Sequence, residues 1–179
     1  RLNIKSNQNI LLSGNLGLTD YRTDSTFTTA DGKNNQNFGG TIGYEYYFAP
    51  NHNLKLNIGQ NEYEARLDVY GYQNQSKNVS YTNNFKSINY SLTRSLNYNL
   101  YDKADTFIKS DTIRDDKIKT DTLSIFGNFD SLLKAEKYSF LKNLFYNLSY
   151  SKINSESNII NFDYKKELFK FGLTKRVVF

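Results

Sequence analysis

The sequence contains no cysteine, methionine or tryptophan, and only one proline and one histidine among its 179 residues. Without cysteine there are no disulfides and no thiolate metal ligands. The single histidine, His52, stands beside Pro50 in a segment that reads as a tight turn. A lone turn histidine leaves no histidine metal set and no acid–base triad to build around, so it reads as a solvated side chain. No stretch approaches the ~20 consecutive apolar residues of a membrane-spanning helix. Charge of one sign is also scarce: the net +5 comes from 23 basic and 18 acidic residues interspersed along the chain. No basic block tracks a nucleic acid. The expectation is a protein that is not an enzyme and has no cofactor, no metal and no nucleic-acid partner.

What is abundant is aromatic: 15 Tyr and 13 Phe, in a chain whose mean hydropathy is -0.67. The apolar residues are spread singly, each followed by Ser, Thr, Asn, Lys or Gly. Such alternation is what strands facing two different environments require. Phe169, Phe171, Leu173, Val177 and Phe179 alternate with Lys170, Gly172, Thr174, Arg176 and Val178, with Lys175 the one charge on the apolar side. Upstream, Leu144, Tyr146, Leu148 and Tyr150 repeat the pattern, as do Leu123, Ile125 and Phe129, then Ile88, Tyr90 and Leu92. Ile42, Tyr44, Tyr46 and Phe48 oppose Thr41, Gly43, Glu45 and Tyr47. Leu54, Leu56 and Ile58 hold the even phase whereas Tyr63, Ala65, Leu67 and Val69 hold the odd one, so a bulge near Gly59–Asn61 is expected. Asp102 falls on the apolar side of the segment 98–110.

These patterns predict about eight strands, near 10–22, 38–49, 53–69, 81–95, 98–110, 118–130, 143–154 and 164–179, in a single domain, 1–179. Residues 49–53 and 94–97 read as tight turns. Residues 23–37, 70–80, 111–117 and 155–163 read as longer polar loops, and the Asn- and Ser-rich segment 72–84 has the composition of a surface loop. Short turns on one rim and long loops on the other are the organisation of an antiparallel up-and-down transmembrane β-barrel. The connection 131–142 is long on the short-turn side. Leu2 and Ile4 alternate like the end of an earlier strand, which would make the chain part of a larger barrel.

On that frame Glu45, Glu62, Glu64, Arg66, Asp68, Lys170 and Arg176 are the candidate lumen-facing charges. They read either as a lining that sets ion preference or as a salt-bridge network filling a narrow interior, or, for Glu62–Asp68, as a polar strand end beyond the membrane. Asp102, Asp105, Asp111, Asp115 and Asp116 have no calcium-loop spacing and read as a solvated acidic segment.

The terminal residues Lys170, Gly172, Val177 and Phe179 resemble the assembly signal of bacterial outer-membrane β-barrel proteins: a polar residue, a glycine, apolar positions and a terminal phenylalanine. Lys175 departs from that pattern. Tyr44–Phe48, Leu54–Tyr63 and Tyr90-Ser91-Leu92-Thr93-Arg94-Ser95 are similar to the mid-barrel of two-partner secretion transporters, in which a comparable segment ends a strand pair in a turn. Asp163-Tyr164-Lys165 resembles the last-strand start of surface-lipoprotein exporters. The resemblance implies the outer membrane of a Gram-negative bacterium, contact with its lipid and lipopolysaccharide, the barrel-assembly machinery as partner of the last strand, and a pore or protein-export channel with a secreted protein as substrate. Two other readings stay open: a closed eight-stranded barrel that is structural or binds through its loops, and a soluble β-barrel binding module.

Overall fold

A computed structural model describes residues 2–20, 33–85, 88–104, 111–129 and 142–176. They form one sheet of nine antiparallel strands, each hydrogen-bonded to the next in chain order: β1 (Leu2–Lys5), β2 (Gln8–Thr19), β3 (Asn35–Ala49), β4 (His52–Ala65), β5 (Tyr72–Phe85), β6 (Ile88–Tyr101), β7 (Asp115–Asn128), β8 (Leu144–Ser157) and β9 (Tyr164–Lys175). Single 3-10 turns, Asp68–Tyr70 and Ile160–Phe162, cap two of the connections. Among the described residues β9 pairs only with β8, and β1 covers only Gln8–Ile10 of β2. The all-β, up-and-down expectation is met at this level.

Register assigns the faces. One ladder row runs Tyr46, Leu54, Tyr81, Leu92, Leu123, Tyr150, Phe169. Two residues away on every strand the row has the same facing, so Ile10, Leu12, Ile42, Leu56, Ile58, Val79, Tyr90, Ile125, Leu148, Phe171 and Leu173 share this apolar face. The other face carries Asn, Ser, Thr and Gly, joined by cross-strand side-chain bonds. Asn74 donates to Asn99 at 2.6 Å, Ser80 meets Thr93 at 3.0 Å, Thr122 meets Ser151 at 2.9 Å, and Ser13 meets Thr41. Glycine makes room for this layer. A Cβ on Gly59 would lie 2.5 Å from the Thr41 methyl and 2.7 Å from the Ser76 hydroxyl.

The apolar face is not covered. Tyr146 is the one large apolar side chain that is buried among the described residues, and Leu16, Leu18 and Phe169 are 80%, 82% and 72% exposed. A single-layer sheet of this kind gains little hydrophobic free energy in water, whereas fully covering one Leu or Phe is worth about 1.5–3 kcal/mol.

The apolar band does not follow the ladder rows. On β2 it runs from Ile10 to Leu18, towards the long-loop rim; on β8 it runs from Leu144 to Tyr150, towards the opposite rim. The row through Leu12 therefore begins apolar, with Ile42 and Ile58, and ends polar, with Lys119, Asn154 and Lys165. Its edge steps down from Leu18 on β2 through Phe38 and Ile58 to Val79 on β5, and then holds one row, Leu123, Tyr150 and Phe169, across β7–β9.

Several sequence expectations are corrected. β4 pairs with β3 without interruption from Asn53 to Ala65, so there is no bulge near Gly59–Asn61. The apolar phase ends at Ile58 because the strand outruns the band, and Tyr63 lies on the polar face, where it stacks on Tyr72. The segment expected as a loop, 72–84, is strand β5. Its Gln, Asn, Ser and Lys residues have low intrinsic strand preference, but β4 and β6 take up its backbone groups from both sides. Residues 94–97 are the middle of β6 and not a turn. Arg94 breaks the apolar phase only because it bonds Asp121, directly opposite, at 2.6 Å. The Tyr90–Ser95 likeness to a strand-ending turn fails for the same reason. β6 ends at Tyr101, which leaves Asp102 exposed beyond it. The expected loop 131–142 lies almost wholly outside the described residues.

Candidate functional site

The polar face and its long-loop rim hold most of the charges read from the sequence. Glu45 lies on that face, opposite Lys55, and its Oε2 accepts the Asn9 side-chain N–H at 3.1 Å. Lys170 is on the same face, opposite Ser149, and has no ion pair among the described residues. Arg176 follows β9 and donates its backbone N–H to Asn143 at 3.0 Å.

Glu62 and Glu64 sit elsewhere. They continue the Leu54, Leu56, Ile58 side of β4, opposite Phe38 and Gln36, and Gln36 donates to Glu64 at 2.5 Å. They therefore do not share a face with Glu45, because the bulge that would have turned them inward is absent. They lie on the part of β4 that continues past the apolar band. Arg66 and Asp68 lie beyond the strand. Arg66 donates its backbone N–H to Asn34 at 2.7 Å, and Asp68 opens the 3-10 turn and pairs with Lys103. Nearby, partial loss of solvent around the carboxyl first, then the charges of Asp68 and Glu64, push the otherwise exposed Asp102 above the usual carboxylate range. That rim is a knot of loop contacts.

Of the assembly-signal residues, Gly172 lies opposite Asn147 with open space where a Cβ would stand. Lys175 shares the face of Leu173 and pairs with Leu144 in register. Val177 and Phe179 lie outside the described residues.

His52 is not the solvated turn residue expected. It opens β4 and turns onto the apolar face near the short-turn rim, with its ring 5.2 Å from Phe48 and its Nδ1 2.8 Å from the Tyr81 hydroxyl. The aromatic group Tyr46, Phe48, His52 and Tyr81 edges the apolar band there.

Sequence reasoning missed the most ordered cluster. On the polar face at the long-loop end, Tyr63 stacks on Tyr72 with 4.4 Å between centroids, and Tyr72 meets Tyr101 at 5.2 Å. The Arg114 guanidinium lies 3.8 Å from the Tyr101 centroid and 3.9 Å from that of Phe162. It bonds the buried Asp116 carboxylate at 2.9–3.0 Å and the Tyr101 hydroxyl. The signal was available in part: Tyr63, Tyr72 and Tyr101 break the polar phase of three adjacent strands, but their adjacency needs the β5 assignment. Among the described residues no group of three or more His, Asp or Glu is placed to hold a metal ion. This arrangement has no nucleophile–base pair; it offers rigidity at the rim and, below it, a wall of hydrogen-bonding groups. No protein-family model, no curated protein and no solved structure matches the chain.

Proposed function

We propose that this sheet is the wall of an outer-membrane β-barrel, with lipid against the apolar face and water against the Asn/Ser/Thr face, acting as a pore or a protein-export channel. The observation that carries the reading is the uncovered apolar band crossing the ladder obliquely. A soluble barrel or sandwich packs its apolar face against a second layer, and its band has no reason to step down across the rows as this one does from Leu18 on β2 to Val79 on β5. A planar hydrocarbon slab does impose such a descent, because barrel strands tilt ~35–45° and the slab cuts them at a constant height. The band spans seven residues on β8 (144–150) and eleven on β3 (38–48). Across the tilt that is ~20–30 Å, which brackets the ~25 Å apolar height of such barrels.

The polar face supports passage of hydrated material: its groups are mostly neutral donors and acceptors, with the charges of Glu45, Lys55 and Lys170 dispersed among them. Contact with outer-membrane lipid and lipopolysaccharide, and delivery by the barrel-assembly machinery through β9, belong to the same reading. One observation favours the closed eight-stranded alternative: β9 runs antiparallel to β2, so β2–β9 can close with an even strand count, whereas closure onto β1 would be parallel. An interior that narrow is largely filled by side chains.

Refolding the chain into detergent micelles and comparing gel mobility with and without boiling tests both. A chain that stays soluble and folded without detergent overturns the membrane reading. A detergent-dependent chain with a fast-migrating unboiled band favours the closed barrel. Detergent dependence with no mobility shift favours a wall that closes with further strands, as a channel requires.

A further inference from the structure

We infer that the outward face carries a docking site for the phosphate of an anionic lipid headgroup, built from Lys119, Lys152 and Lys165; this rests on the membrane reading above. The three lysines lie on adjacent strands and, with Asp121 and Asn154, line a cavity of about 260 Å³. By register all five share the apolar face, not the polar one. The ladder row holding Lys152 is the next on this face above the Tyr150–Phe169 row that ends the apolar band, ~7 Å further along the strands. Lys119 and Lys165 are one such step higher. With the band in hydrocarbon, lysine stems reach the height at which headgroup phosphates lie.

The charges within the site do not cancel. Asp121 is engaged by Arg94 at 2.6 Å and by Lys119 at 3.6 Å. Glu167, opposite Lys152 in the ladder, takes a hydrogen bond from the Tyr150 hydroxyl. Asn154 donates to Glu156 at 3.1 Å, and Glu156 lies 3.8 Å from Lys117. Lys152 and Lys165 are left with no ion pair among the described residues. Three lysines against one aspartate in the lining, with Glu167 facing Lys152 from outside it, leave the site net positive directly above an apolar band, which complements a phosphate tethered to acyl chains; a protein partner would have to cover the band as well.

The test uses the whole chain refolded into vesicles of phosphatidylcholine, with and without phosphatidylglycerol, and follows urea unfolding by circular dichroism. Phosphatidylglycerol is expected to raise the folded-to-unfolded ratio at fixed urea roughly tenfold, an effect that fades at high salt. The Lys152→Gln/Lys165→Gln double variant is expected to lose most of that gain, while Lys55→Gln, on the opposite face, keeps it. Equal gains in both variants overturn the site. So does the same stabilisation by inorganic phosphate added to phosphatidylcholine vesicles, which would make the ligand a free anion. A chain that enters no vesicle at all refutes the membrane reading itself; entry into phosphatidylcholine without a lysine-dependent gain refutes only this proposal.

Discussion

Leu56→Arg is expected to cost about 2–4 kcal/mol in a phosphatidylcholine bilayer, and Leu100→Arg about 0–1 kcal/mol. The two leucines share a face and differ in height and in neighbours. Both lie on the apolar face, Leu56 between Tyr44 and Val79 and Leu100 between Gln73 and Asp115. Both are open in the isolated sheet, 40% and 54% exposed. Neither substitution creates a cavity or strands a partner, so in water each should be close to neutral. Asp115 opposite position 100 would favour an arginine there by about 0.2–1 kcal/mol, so a larger gap between the two requires an apolar medium confined to the band. A guanidinium at Leu56 would sit inside that medium, whereas at Leu100 it stands well above Val79 and Leu123, the last apolar residues of the band on the neighbouring β5 and β7. Urea unfolding of the two variants in vesicles measures the difference. Equal costs would remove the argument that the band is a lipid belt.

The fold was legible wherever one face of a strand meets the apolar band over its length. β3, the lower half of β4, β8 and β9 could be read from alternation, because three or more apolar residues hold one phase. Legibility ended where the band ends. Above Ile58 both faces of β4 are polar or mixed, and the phase change at Tyr63 mimics a bulge although the backbone continues unbroken. β5 has Val79, Tyr81 and Phe85 on its apolar face and polar residues around them, so its strand character comes from its neighbours' ladders and not from its own side chains. Arg94 looked like a turn residue because its counter-ion, Asp121, is 27 positions away in sequence. The candidate charges divided for one reason. Glu45 and Lys170 lie within strands whose phase was read correctly, whereas Glu62 and Glu64 depended on a register that only pairing fixes. The Lys119–Lys152–Lys165 cavity was out of reach altogether, since it comes from three strands brought side by side.

The same non-local logic makes Arg114 and Asp116 the pair whose separation should cost the chain most. Asp116 is 5% exposed in its side chain and Arg114 21%, which makes theirs the most buried ion pair among the described residues. The Asp116 Oδ1 atom is buried without a hydrogen-bond partner, so Arg114 on Oδ2 is its main compensation. Arg114→Met keeps much of the stack between Tyr101 and Phe162 but leaves that carboxylate alone. Breaking a buried pair from one side costs about 3–5 kcal/mol. Asp116→Asn should be milder, about 1–3 kcal/mol, since the guanidinium it leaves behind still reaches solvent and stays stacked on two rings. If the cost is that of an orphaned charge, removing both charges must be cheaper than removing the cation alone. The Arg114→Met/Asp116→Leu double variant is therefore expected within about 1–2 kcal/mol of the wild type. Urea unfolding of the three variants in one detergent gives the ordering. A double variant at least as unstable as Arg114→Met would show that the ring stack, and not the charge, holds β6, β7 and the 3-10 turn before β9 together at this rim.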